Sequence, residues 1–372
     1  MDEQQSRSIT LFLCGDVMTG RGIDQILPHP SVPHLFEPYM RSALGYVKLA
    51  EEESGLIDWP VDFAYIRGDA TDAFRRLQPD LRIVNLETSV TASEDAWPNK
   101  GIHYRMHPAN IPCLTAFGID CCVLANNHVM DWGLKGLTET LDTLHQAGIA
   151  TAGAGRNAAE AAAPAVLDVP GTGRVLVFAW GMESSGVFAE WAAGERRPGV
   201  NFLTGLSDRN LETIAQQVRA ARRAGDLVVA SIHWGSNWDF TVTPQQRAFA
   251  HGLIDQAGVD VVHGHSSHHV KGIEVYRGKA VMYGCGDFLN DYEGIGGYEQ
   301  YRGDLALMYF PTFEQGRLTR FVCTPTRMRR FRVTSASEEG IHWLVDTLNR
   351  EGETFGTHVE RLGKRDVQLH WS

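Results

Sequence analysis

Val262-His263-Gly264-His265 closes a short strand of β-branched residues, Val259 to Val262, with two imidazoles two positions apart. Such a pair converges on one metal ion if the backbone turns tightly, and the glycine between them permits that turn. Four other segments have the same form, an apolar strand ending in a ligand-type residue. They are Leu11-Phe12-Leu13-Cys14-Gly15-Asp16, Leu81-Arg82-Ile83-Val84-Asn85-Leu86-Glu87, Cys122-Val123-Leu124-Ala125-Asn126-Asn127-His128 and Leu227-Val228-Val229-Ala230-Ser231-Ile232-His233. One Asp or His at a strand end more often caps a helix or bonds to a turn. Five together point to one polar site at the carboxyl ends of strands, where open α/β sheets place their ligands.

Strands alternate with amphipathic helices along most of the chain, which predicts an α/β sandwich. Leu134, Leu137, Leu141 and Leu144 recur at helical spacing until Gly148. Thr243-Pro244-Gln245-Gln246 reads as an N-cap, a first-turn proline and a capping-box glutamine, opening a helix towards Gly258. Another helix is expected from about Asp208 to Ala224. The segment 25–70 breaks the rhythm with prolines at 28, 30, 33, 38 and 60. It is expected to be an insertion that serves as a lid, and residues 181–201 are a second such candidate. Gly153-Ala154-Gly155-Arg156-Asn157-Ala158 lacks a convincing strand before it and reads as a structural turn, not a dinucleotide loop. The whole chain, 1–372, is expected to form one domain, with 325–372 as a C-terminal extension.

The formal charge of −11 and the absence of a basic run argue against a nucleic-acid partner. No apolar run approaches membrane-spanning length. Met1-Asp2-Glu3-Gln4-Gln5-Ser6 has neither the basic nor the apolar region of a signal peptide. The six cysteines show no CxxC spacing, so reduced core thiols in a cytoplasmic protein are expected. Adjacent Cys121 and Cys122 should face opposite sides of a strand. Cys14 and Cys285 lie near polar strand ends and are candidates for a thiol in the site.

Asp16, Glu87, Asn127, His233, His263 and His265 form a mixed carboxylate, amide and imidazole set. It suits a divalent ion, Mn, Fe, Zn or Ca, in one or two copies. His128 stands three residues before Asp131, whose carboxylate can orient the imidazole, so His128 is read as an acid/base group and not a ligand. Arg21 and Arg105 are candidates for a carboxylate clamp, and Trp234 or Trp238 for the wall of an aromatic pocket.

Gly15-Asp16-Val17-Met18, Asn85-Leu86-Glu87, Asn126-Asn127-His128 with Asp131, His233-Trp234-Gly235, Gly264-His265, Gly272-Ile273-Glu274 and Gly286-Asp287-Phe288 resemble the CapA family of poly-γ-glutamate capsule synthesis. That family is a branch of the calcineurin-like metallophosphoesterase superfamily, and the resemblance runs from the first strand to about residue 310. It implies a four-layer α-β-β-α sandwich with the site at the strand ends. Two features depart from the pattern. Met18 stands where the superfamily's Asp-x-His motif has an imidazole, and a thioether binds hard or borderline metals poorly. The membrane anchor usual in capsule CapA proteins is not evident.

The family includes peptide epimerases of lasso-peptide biosynthesis, which invert the Cα of a C-terminal tryptophan in a ribosomal precursor. Their resemblance to this chain implies a metal-dependent isomerase with the C-terminus of a precursor peptide as substrate. His128 would be one acid/base, and His265, Asp287 or Cys285 the other, with Asp287 also a candidate substrate-binding group. Two further readings stand beside it. One is a metal-dependent hydrolase of a phosphoester or γ-glutamyl-type amide. The other is a non-catalytic binder of acidic peptide or polymer.

Overall fold

The computed structural model describes residues 8–372; Met1 to Ser6 lies outside them. A ten-stranded sheet is centred on the Ser8–Val17 strand, which pairs in parallel with Leu81–Leu86 and antiparallel with Leu305–Glu314. The parallel side continues to Cys121–Val123 and Ala150–Ala152. Arg317–Arg329 and the Thr357–Leu362 and Asp366–Trp371 hairpin complete the antiparallel side. A seven-stranded sheet holds Gly173–Met182, Leu227–His233, Val261–His265 and Lys279–Met282 side by side in parallel.

Successive residues of a strand face opposite sides, and both sheets are apolar on both. Leu11, Leu13, Ile83 and Cys121 of the first sheet meet Val175, Val177, Val229 and Val261 of the second in a shared inner core. The outward set of the first sheet, including Phe12, Val84 and Cys122, is covered by Tyr46, Phe74, Leu137 and Leu141 from helices. On the far side Leu176, Phe178, Val228 and Val262 pack under Leu211, Ile214, Val218, Phe249 and Leu253. The result is the α-β-β-α sandwich that the resemblance implied, with Cys121 and Cys122 on opposite faces as their adjacency requires.

The expected helices are present as Gly133–Gln146, Asp208–Ala221 and Pro244–Ala257, the last opened by a complete capping box on Thr243 and Gln246. The 153–158 segment holds the two-residue strand Ala154–Gly155 and then the Asn157-capped helix Ala158–Ala162. No helix among the described residues is long and apolar enough to cross a membrane.

Val261–His265 is strand throughout, so His263 and His265 share a face through pleat alternation and not through a turn. Gly264 is needed for another reason. A Cβ there would lie 2.5 Å from the Tyr283 carbonyl oxygen and 2.7 Å from the Trp234 indole nitrogen. Gly15 is equally crowded, since its Cβ would meet the Gly286 oxygen at 1.7 Å. That close approach brings Asp16 into register with Asp287.

Candidate metal centre

Five strand ends deliver the site. Asp16, His233 and His265 each place a ligand atom within 4.8 Å of the others, and so do Asp16, His268 and Asp287. Asp16 therefore belongs to two buried clusters at once. Glu87 stands beside the first, its Oε2 4.0 Å from His233 Nε2. Asn85 donates to both Asp16 Oδ1 at 2.7 Å and Glu87 Oε2 at 3.2 Å, holding the two carboxyl groups together. Asn126 in turn donates to Asn85 Oδ1 at 3.0 Å and accepts from the backbone amides of His128 and Val129.

The hydrogen bonds around the histidines fix their tautomers. His263 Nε2 lies 2.7 Å from the Cys14 carbonyl oxygen, which only accepts, so Nε2 carries the proton. Burial pushes His263 down to about 4, so the ring is neutral and Nδ1 is bare. Ser231, 3.1 Å away, must donate its one hydroxyl proton to that Nδ1. Its oxygen then accepts from His265 Nε2–H at 2.8 Å, which leaves His265 Nδ1 as a bare lone pair. With the Asn127 carbonyl oxygen 2.9 Å from His233 Nε2, that nitrogen donates and His233 Nδ1 is bare too. The two Nδ1 atoms are 2.7 Å apart. Lone pairs facing at that distance repel unless a cation lies against both.

The carboxylates show the same deficit of positive charge. Burial, and then the proximity of Asp287, raises Asp16 from 3.8 to about 7. Burial and Asp16 push Glu87 well above the usual carboxylate range. Asp16 Oδ2 is buried without a hydrogen-bond partner. Two imidazole nitrogens and a cluster of carboxylates fit the divalent ion that the superfamily resemblance implies, with imidazole favouring Zn, Fe or Mn over an all-oxygen ion. In the second cluster His268 Nδ1 is 2.9 Å from Asp287 Oδ1, and Asn290 Nδ2 donates to Asp287 Oδ2 at 2.8 Å. Burial alone would lower His268, but the Asp287 contact outweighs it and the net shift is upward.

His128 and Asp131 lie at the edge of this centre. His128 Nδ1 is 2.6 Å from Asp131 Oδ2, and its Nε2 faces Glu87 Oε1 at 3.7 Å. Lys100 pairs with Asp131 Oδ1 at 2.6 Å, and the Tyr104 amide donates to Oδ2 at 2.7 Å. Burial tends to raise Asp131, but Lys100 and His128 together win and lower it. For His128, burial and then Lys100 dominate and lower it to about 4. The dyad is thus a neutral imidazole on an ionised carboxylate, with Nδ1–H donated and Nε2 open towards the centre.

The bacterial capsule synthesis protein family, PGA_cap, matches residues 10–292 of the chain, from the first strand past both clusters. The chain belongs to this family. Within it, a probable polyglutamine synthesis accessory protein of Mycobacterium tuberculosis is 46% identical over 354 residues, 94% of this chain and 93% of that protein. The capsule biosynthesis protein CapA of Bacillus anthracis is 26% identical over 288 residues, covering 77% and 61% of the two chains. Among solved structures, a phosphatase from Mycoplasma pneumoniae overlays with a TM-score of 0.46 at 10% identity, covering 86% of this chain and 94% of that one. That likeness is too remote to bear on the reaction.

Several residues expected in the site have other partners. His263 is no ligand, because both ring nitrogens are bonded, to Cys14 and Ser231. Asn127 accepts from His233 Nε2 and so orients a ligand. His265 has one nitrogen on Ser231 and the other facing His233, which leaves none for proton transfer. Asp287, a candidate substrate-binding group, stands in the second cluster and is bonded to His268 and Asn290. Arg21 is buried, bonded to both Asp291 oxygens at 2.5 and 3.1 Å, to Glu37 at 2.9 Å and to the Tyr46 hydroxyl. Arg105 donates to the Ser93 and Val32 carbonyls and lies 4.0 Å over the Trp132 ring. Neither guanidinium is free to clamp a carboxylate. Trp234 is core, its indole N–H given to the Tyr283 carbonyl at 3.0 Å. Burial pushes the Cys14 and Cys285 thiols well up, so neither ionises at neutral pH.

The sequence reading takes His268 for a loop residue or a support to the ligands, gives Asn85 no role of its own within Asn85-Leu86-Glu87, and passes over Lys100. His268 carries a signal, since it follows His265 across only Ser266-Ser267. Ser266 takes φ +100, a region costly for a residue with a Cβ, and the reversed chain delivers His268 to the opposite cluster. Met18, the position where the superfamily motif has an imidazole, is fully buried, and the second cluster has its imidazole from His268.

Proposed function

We propose that this chain is a metal-dependent hydrolase that cleaves an amide bond, of peptide or γ-glutamyl type. The observation that carries the reading is the His128–Asp131 dyad, whose open Nε2 borders the carboxylates of the first cluster. Asp16, His233 and His265, with Glu87 beside them, would hold the cation, and His268 and Asp287 offer a second position that shares Asp16. A bound divalent ion supplies Lewis acidity for the scissile carbonyl and for the attacking water.

The proton path belongs to the protein. His128 Nε2 takes a proton from the water as its oxygen bonds to the carbonyl carbon. The C–N bond then breaks, and the same Nε2 returns that proton to the leaving nitrogen. Asp131 stays ionised throughout, holding Nδ1–H and stabilising the transient imidazolium. The names of the relatives, which refer to polyglutamine and capsule synthesis, support an amide substrate.

Inversion of a peptide Cα is the second reading, because the same Lewis acid would acidify a Cα proton. It needs a second proton-transfer group on the opposite face of the carbon. His265 and Cys285 offer no free titrating atom for it, and Asp287 is engaged by His268 and Asn290. The amide reading requires only the dyad.

Incubation of the metal-loaded protein with a peptide and with a γ-glutamyl oligomer in deuterated water, read by mass spectrometry, separates the readings. Two fragments that together gain one water support hydrolysis. Deuterium at Cα in an uncut chain supports inversion instead. If neither change occurs and a parallel incubation with a phosphoester releases phosphate, the assignment moves to phosphoester hydrolysis.

A further inference from the structure

On the His268–Asp287 side of the centre the structure encloses a cavity of about 530 Å³, between the end of the Leu44–Ser54 helix, residues 290–304 and the Arg327-Met328 edge. Its wall adjoins the second cluster. Asn290, in its wall, holds Asp287 Oδ2, and the rings of Trp238 and Tyr292 each lie 5.3 Å from that of His268. A peptide seated in it would lie beside the second cluster.

The lining has a definite charge. Arg302 is taken by Asp304 and Glu339, and Arg327 by Asp304. Among the described residues no ammonium or guanidinium pairs with Glu53, Glu293 or Glu299, the other carboxylates of the wall. Glu293 is fixed by the Ser54 hydroxyl and the backbone amides of Arg330 and Phe331, which hold the carboxylate in place without neutralising it. Trp238 and Tyr298 stack at 4.2 Å, and Tyr298 remains 47% exposed, presenting its outer face. Carboxylates beside an open aromatic face attract a cation and repel a polyanion, and the chain's net charge of −11 acts in the same sense.

We propose that this cavity binds a positively charged side chain, lysine or arginine, of a peptide that reaches the metal centre, seated among Glu53, Glu293, Glu299 and Tyr298. The role as a substrate subsite rests on the hydrolase reading, but the binding does not require turnover. The test is calorimetric titration of the metal-loaded full chain with a short lysine-containing peptide and with a γ-glutamate oligomer of equal length. The lysine peptide should bind at least about tenfold tighter. Its affinity should drop about tenfold in the doubly substituted Glu53→Lys, Glu299→Lys protein, both positions being exposed and neither among the metal ligands. Tyr298→Ala should weaken it without a change of charge. Equal or tighter binding of the glutamate oligomer, or no effect of the charge reversals, overturns the proposal. Binding as expected with no cleavage would count against the hydrolase reading alone.

Discussion

His233 Nδ1 and His265 Nδ1 face each other at 2.7 Å with no proton on either, because Asn127 and Ser231 take the N–H of each ring on its far side. Two neutral imidazoles in that arrangement define a place for a cation, and Asp16 adds a carboxylate 4.0 Å from His265. The consequences reach residues that would touch no ion.

Ser231 is the first of these. Ser231→Ala removes the hydroxyl that accepts from His265 and donates to His263, so His265 is freed to adopt the other tautomer. Partners of this kind tune metal affinity by about 10- to 100-fold. Competition with a chelator should show a loss in that range, with the far-ultraviolet dichroism unchanged.

His128 and Asp131 should separate catalysis from metal binding. His128→Gln is expected to lower kcat by about 10²- to 10⁴-fold, the usual worth of a positioned acid/base group. Asp131→Asn should also lower it, and metal content should stay at the wild-type level in both. Loss of the metal along with activity would make these residues structural.

The effect of metal on stability should depend on pH. Asp16 has an ordinary value of 3.8 and rises to about 7 in the fold. Between those values the metal-free folded state binds more protons than the unfolded one, so its stability falls as pH rises. A divalent ion favours the ionised carboxylate and offsets that loss. The gain in Tm on adding metal should therefore grow from about pH 5 to about pH 8. A gain independent of pH would place the ion elsewhere.

Arg21 tests the reassignment from substrate clamp to buried anchor. Arg21→Met leaves Glu37 and Asp291 buried without their cation, which costs about 3–5 kcal/mol and should appear as a marked drop in Tm. A clamp would instead raise KM and leave the melt unchanged.

The fold was legible where periodicity and caps agree, as in the Pro244–Ala257 helix with its capping box. The strand ends were legible because an apolar run that stops at Asp16, His233 or His265 sets a polar group against buried surface, and a chain that repeats this at several strands is building one site. His263 misled for the same reason, since its position on the shared face is right but its bonds run to Cys14 and Ser231. Arg21, Arg105 and Trp234 were unreadable because their partners, Asp291, Val32 and Tyr283, are distant in sequence and meet them only in the packed chain. Lys100 left no signal, as nothing local ties it to Asp131. The Gly264 contact with Tyr283 depends on the neighbouring strand, so a crowded position reads in sequence as a turn.

The most direct test is the metal content of the protein, by elemental mass spectrometry after purification without a chelating step, followed by titration of the chelated chain. Wild-type protein should retain or regain a divalent ion, and Asp16→Asn and His233→Ala should each weaken its binding by at least about tenfold, from the loss of one ligand. Wild-type protein that takes up no divalent ion at millimolar concentration, or that binds one as well without Asp16 and His233, would contradict the assignment of the centre.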